Sequence, residues 1–321
     1  MSSFIAIVAG FVLLVWTADR FVNGSAAIAR NLGVAPLIIG LTIVAFGTSA
    51  PEIFVSAVAA WNGAPGMAVG NALGSNIANV GLILGITAMV VPLSVRSETL
   101  RREFPILFAV MLLSLMLVLD GSLDFIDGFI LFAALGLMIY WMVNLGLRSR
   151  RTDPIASEYE AELPDTMPMK QAIIWFVIGL VGLVVSSRIL VWGAVNIAQA
   201  LGVSDLVIGL TIVAIGTSLP ELAASVMSAL KKEHDIAIGN VLGSNMYNLL
   251  AVMGMPALIS PTPLPEQVLL RDFPVMIAMT VALFAMAYGF RGPGRLNRFE
   301  GFALIAAFFS YQATIIFSSM A

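Results

Sequence analysis

The chain has 321 residues, 60% of them hydrophobic and 11% charged, and a mean hydropathy of +0.99. So little polar surface cannot coat a water-soluble globule, which excludes a soluble enzyme or a nucleic-acid-binding domain and implies an integral membrane protein. Cysteine is absent, excluding disulfides and thiolate metal centres, and the net charge of -3 matters less than which loops hold Lys and Arg.

Apolar runs long enough to cross a bilayer predict helices near 2–18, 36–61, 66–92, 104–119, 126–146, 171–190, 205–230, 236–259, 273–289 and 299–318. The first run has no Lys or Arg before its apolar core and no small-residue cleavage pattern after it, so it reads as a span and not a signal peptide. The hydrophilic stretch 148–170 reads as a cytoplasmic linker between residues 1–147 and 171–321, five helices each. An odd number of spans per half turns the second half upside down. The expected fold is therefore all-α, ten transmembrane helices forming two inverted five-helix repeats. With both termini outside, fourteen of the sixteen basic residues fall in cytoplasmic loops, and only Arg188 and Arg271 do not. The placement expected is a cytoplasmic membrane of bacterial type.

The two halves share more than a helix count. GLTIVAFGTSAPE at 40–52 recurs as GLTIVAIGTSLPE at 209–221, and GNALGSNIAN at 70–79 recurs as GNVLGSNMYN at 239–248, each 169 positions later. What is retained is polar residues, Gly and Pro, which packing in lipid does not by itself require, so the duplication points to a site assembled from both copies.

Of the nineteen acidic residues, only Glu52 and Glu221 fall deep within predicted spans, and no Lys, Arg or His is expected at that depth. A carboxylate there costs about 2.5–3.5 kcal/mol on insertion scales unless it is protonated or neutralised. Mobile cations or protons are the remaining source of counter-charge. Pro51 and Pro220 lack the N–H that would bond back four residues, predicting unwound backbone whose freed carbonyls face the site. Thr48 and Thr217 lie one turn before the glutamates, with Ser49 and Ser218 beside them. In the next span Asn71, Ser75 and Asn79 form a stripe at spacing four, repeated as Asn240, Ser244 and Asn248. Carboxylates, hydroxyls, amide oxygens and carbonyls make an all-oxygen set, suited to hard cations such as Ca2+. Two negative charges match one divalent ion or two monovalent ones. Gly66, Gly70 and Gly74, with Gly239 and Gly243, read as faces for close helix approach.

GTSAPE with GNALGSNIAN, and GTSLPE with GNVLGSNMYN, resemble the two alpha repeats of the sodium/calcium exchangers in the cation/calcium antiporter superfamily, specifically the compact prokaryotic members. The resemblance implies ten helices, with the second, third, seventh and eighth forming an ion-binding core and the first and sixth sliding across it. It implies Ca2+/Na+ antiport by alternating access, with Ca2+/H+ antiport through the same site as the alternative. Glu52 and Glu221 would bind Ca2+, with Thr48, Ser49, Thr217 and Ser218 adding oxygens, Ala45 and Ala214 backbone carbonyls, and Ser75, Ser244, Asn79 and Asn248 closing the pocket. Several members carry Asp where this chain has Asn248, giving one titratable group fewer here. No cofactor is expected, since Ca2+ and Na+ are the substrates, and one chain holds both halves of the site. An intramembrane hydrolase would need paired Asp, or Ser with His, at span depth, and the sequence offers neither.

Overall fold

In the computed structural model, residues 2–95, 97–149, 167–201, 214–288 and 294–320 are described. Lipid offers the backbone no hydrogen-bond partners, so a chain this apolar satisfies its peptide groups within helices. In chain order these are α1 (Ser2–Leu32), α2 (Pro36–Trp61), α3 (Pro65–Val90), α4 (Ser97–Leu117), α5 (Phe125–Ser149), α6 (Met169–Ala200), α7 (Ala214–Thr217), α8 (Leu219–Leu230), α9 (His234–Ile259), α10 (Val268–Ala287) and α11 (Arg298–Met320). Seven of the described helices are long and apolar enough to cross a membrane: α1, α2, α3, α5, α6, α9 and α10. Most of the expected linker, and residues 205–213 of the expected seventh span, lie outside the described residues.

The first and sixth spans are longer than expected. α1 continues to Leu32 and α6 to Ala200, so Arg20 and Arg30 ride on a helix and not in a loop. Arg20 is accommodated by stacking, its guanidinium 5.6 Å from the Trp16 ring centre and 4.7 Å from that of Trp175.

Two compact units make up the chain, Met1–Thr48 with Leu137–Asn240, and Ser49–Gly136 with Val241–Ala321, and each draws on both sequence halves. In the first unit α1 and α6 run antiparallel in close contact. Gly10 meets Leu190, Gly24 meets Phe176, and Gly179 meets Phe21. A Cβ added at Gly179 would lie 2.5 Å from the Phe21 nitrogen, and one at Gly24 2.6 Å from the Phe176 nitrogen, so the backbones themselves touch. α2 and the start of α9 approach in the same way, a Cβ at Gly239 falling 2.7 Å from the Leu37 oxygen. The packing role expected for Gly239 holds there. At Gly66, Gly70 and Gly74 no described residue lies within 4 Å of an added Cβ.

The second unit packs α3, the later part of α9, α10 and α11 around Phe104, Phe273 and Phe308, all fully buried. Four two-residue strands join its helix ends: β1 (Leu93–Ser94), β2 (Ser122–Leu123), β3 (Thr262–Pro263) and β4 (Arg295–Leu296). β1 pairs antiparallel with β4, Leu93 opposite Leu296, and β2 with β3, Leu123 opposite Thr262.

Short π-helical turns interrupt α2 at Gly40–Val44, α3 at Asn79–Ile83 and α9 at Asn248–Val252, and open α10 at Val268–Asp272. Those of α3 and α9 begin on the repeat-related asparagines Asn79 and Asn248. Single π turns recur at functional positions because the extra residue rotates the rest of the helix about its axis and re-aims its side chains.

Gly179→Val is expected to lower the melting temperature of the detergent-solubilised protein by several degrees or to prevent its accumulation, because the clash is with backbone. Gly136→Ala, where an added Cβ meets nothing within 4 Å, serves as the comparison and leaves melting unchanged or slightly raised.

Candidate cation-binding residues

Glu52 and Glu221 are both 2% exposed. Their local backbones differ, which corrects the expectation that proline unwinds both copies. α2 passes through Pro51 without interruption. In the second copy the helix stops at Ser218 (φ -91°, ψ 5°) and restarts as α8, placing Pro220 and Glu221 in a first turn. Proline is readily tolerated there, since first-turn N–H groups have no helical acceptor to lose. Glu221 accordingly sits at the electropositive end of a helix, whereas Glu52 lies within one.

Each glutamate is bracketed in the same way. Asn71 Nδ2 donates to Ser56 Oγ (3.2 Å) and to the Glu52 carbonyl (3.5 Å) in the second unit. Asn240 Nδ2 donates to Ser225 Oγ (3.0 Å) and to the Glu221 carbonyl (3.4 Å) in the first. The Asn240 amide oxygen in turn accepts from Thr48 Oγ1 at 3.1 Å. A threonine hydroxyl whose proton is engaged in this way keeps its lone pairs available to a cation.

Six of the twelve expected ligands fall in each unit. Ala45, Thr48, Ala214, Thr217, Ser218 and Glu221 belong to the first, and Ser49, Glu52, Ser75, Asn79, Ser244 and Asn248 to the second. Thr48, Ser49, Ser75, Asn79, Ser218, Ser244, Asn248 and Ala45 are buried, and Thr217 is half-buried. Ala214 opens α7, and its side chain lies outside what is described. In the second unit Asn79 Nδ2 donates to Asn245 Oδ1 (3.0 Å). Asn79 Oδ1, Asn248 Oδ1 and Ser244 Oγ are buried and accept no hydrogen bond from any described residue. Buried oxygens in that condition are destabilising unless a donor or a cation meets them, so the donor set fits a hard ion. Among the described residues no three His, Cys, Asp or Glu side chains cluster as a metal centre, so the oxygens on offer are mostly neutral.

Sequence reasoning missed several participants. Ser56 and Ser225 lie four residues after their glutamates and are repeat mates, a signal that was present but weak. Asn76 and Asn245, the Asn of each GSN, are also repeat mates, and they meet directly, with Asn76 Nδ2 donating to the Asn245 carbonyl at 3.2 Å. Four further carboxylates are buried near span ends, Asp127, Asp235, Glu103 (2% exposed) and Asp272 (8%). The last two repeat one another in the strings REFP and RDFP. Asp272 Oδ1 is held by Arg271 Nε (2.6 Å) and accepts from the Tyr311 hydroxyl (3.0 Å), a protein-supplied neutralisation.

Residues 2–144 and 171–317 match the family described as sodium/calcium exchanger protein. The chain is 51% identical to the putative antiporter CaxA of Alkalimonas amylolytica over 321 residues, covering 98% of each protein. It is 39% identical to the inner membrane protein YrbG of Escherichia coli, covering 98% of this chain and 96% of that one. The solved structure of the sodium-calcium exchanger NCX_Mj, soaked with 2.5 mM Na+ and 0.1 mM Ca2+, superposes with a TM-score of 0.81 at 32% identity over 97% of each chain. With the family matched along both halves and the fold shared from end to end, the chain belongs to the sodium/calcium exchanger family, multi-pass membrane antiporters and not enzymes.

Proposed function

We propose that this protein is a secondary active antiporter that exchanges Ca2+ for Na+ by alternating access, with Glu52, Glu221, Thr48, Thr217, Ser49, Ser218, Ala45, Ala214, Ser75, Ser244, Asn79 and Asn248 as ion ligands. The observation that carries this reading is the pair of buried, repeat-related glutamates, each with an asparagine of the following helix donating to its backbone carbonyl and to a nearby serine. One Ca2+ or two Na+ would balance their charge equally. In a medium of low dielectric a site carrying two carboxylates would cross at lower cost with an ion aboard than without one, which would couple one flux to the other.

The proposed architecture is ten spans in two inverted repeats, residues 1–147 and 171–321, with the linker and most basic loops cytoplasmic and both termini outside. α4, α11 and the segment ending in α8 would join the seven long apolar helices. Two packing facts support the inversion. The repeat mates α1 and α6 lie antiparallel. β1 comes after the third span of the first half, β4 after the fourth span of the second, and they pair. Were both halves inserted in the same sense, those two turns would be separated by about 30 Å of hydrocarbon. The pairing of β2 with β3 makes the same case for the opposite ends of the helices.

The test is radiocalcium uptake into liposomes containing the purified protein at clamped voltage. An outward Na+ gradient is expected to drive uptake, and a pH gradient is not; the reverse result would replace sodium coupling with Ca2+/H+ antiport. Flux without any counter-ion would indicate a channel. Glu52→Gln and Glu221→Gln are each expected to abolish uptake with melting unchanged, and Na+-driven flux surviving in either variant would remove the central claim. Asn240→Ala should lower stability more than Asn71→Ala, by about 1–3 kcal/mol, because Asn240 also serves Thr48 and its bonds are shorter. Denaturation of the two variants side by side measures the difference.

A further inference from the structure

Asn79 can bind a cation only through one end of its amide. A carboxamide is nearly symmetric in shape but not in charge, and turned over it would present two N–H groups where an oxygen is needed. Nothing in the shape of a buried pocket prevents that turn, so its direction must be set by a hydrogen-bonding neighbour.

We infer that Asn245 is a positioning residue that fixes the Asn79 amide with its oxygen toward the ion. Asn245 Oδ1 accepts from Asn79 Nδ2 at 3.0 Å, and both side chains are 1% exposed. Reversal of Asn79 alone, with Asn245 unturned, would set oxygen against oxygen in a buried place. The opposite end of Asn79, Oδ1, is buried and accepts from no described residue, as expected of a group kept for an ion. Asn245 is anchored to α3 through its own backbone, whose carbonyl accepts from Asn76 Nδ2 at 3.2 Å; that Nδ2 also reaches Met276 Sδ at 3.4 Å.

The repeat supplies an internal comparison. The mirror-image clamp would have Asn76 Oδ1 accept from the Asn248 amide, but Asn76 Oδ1 receives no hydrogen bond from any described residue, and neither does Asn248 Oδ1. One clamp is closed and its mate is open. Asn79 is therefore the ligand of fixed polarity, and Asn248 the one whose amide is not set by its counterpart.

This inference rests on the reading of Asn79 as an ion ligand, and a double-mutant cycle separates the two. Equilibrium radiocalcium binding is measured on purified wild type, Asn245→Leu, Asn79→Asp and the double variant, with melting monitored in parallel. Asn245→Leu is expected to weaken Ca2+ binding on the order of tenfold. In the Asn79→Asp background both faces of residue 79 are oxygen, so orientation no longer matters and the same leucine leaves binding unchanged or tighter. Equal weakening in both backgrounds means that Asn245 serves packing alone and overturns the inference, as does undiminished binding by Asn245→Leu. Asn245→Ala runs the same cycle with a smaller side chain if leucine prevents folding. Should wild type bind neither Ca2+ nor Na+, the exchanger reading falls, and the role of Asn245 with it.

Discussion

A carboxylate removed from water must be protonated or met by hydrogen bonds and positive charge. Asp272 has a permanent answer in Arg271 and the Tyr311 hydroxyl. Near Glu52 and Glu221, Asn71 pairs with Ser56 and Asn240 with Ser225, and the same asparagines hold the glutamates' backbone carbonyls. Burial of acid is not special to these two glutamates, since Glu103, Asp127, Asp235 and Asp272 are buried as well. The glutamates of the two GTS motifs differ in lying within apolar segments and not near span ends, which is why the proposed ion site is built on them.

Much of this was legible in the sequence because the duplication filters it. Lipid-facing residues drift while the residues of a shared site cannot, so comparing residue 52 with 221 and 79 with 248 isolates candidates without any structure. The limits of that filter are physical. Hydropathy locates an apolar run but not where the helix stops, so α1 and α6 outrun their predicted ends, with Arg20 carried on tryptophan faces. Asn76 and Asn245 were retained by the repeat and still overlooked, because what they do is a contact across 169 residues, which no spacing along one helix reveals. Proline was over-read. The same dipeptide, Pro-Glu, lies inside an unbroken helix in one copy and in the first turn of a new helix in the other.

That difference shows how far equal sequences depart in geometry. Glu221 has the end of a helix behind it and Glu52 does not. Asn79 is held by Asn245, while Asn76 and Asn248 leave their oxygens open. Near-identical motifs thus adopt unlike conformations within one molecule.

The four miniature strands have a mechanical meaning out of proportion to their eight residues. One ribbon ties the turn after α3 to the turn before α11, and the other ties the turn between α4 and α5 to the turn after α9. Helices fastened near both ends resist splaying, much as staves hooped at top and bottom cannot spread. Within that unit the ribbons tie α3 and α9, which carry Asn79 and Asn248, to their neighbours close to the helix ends.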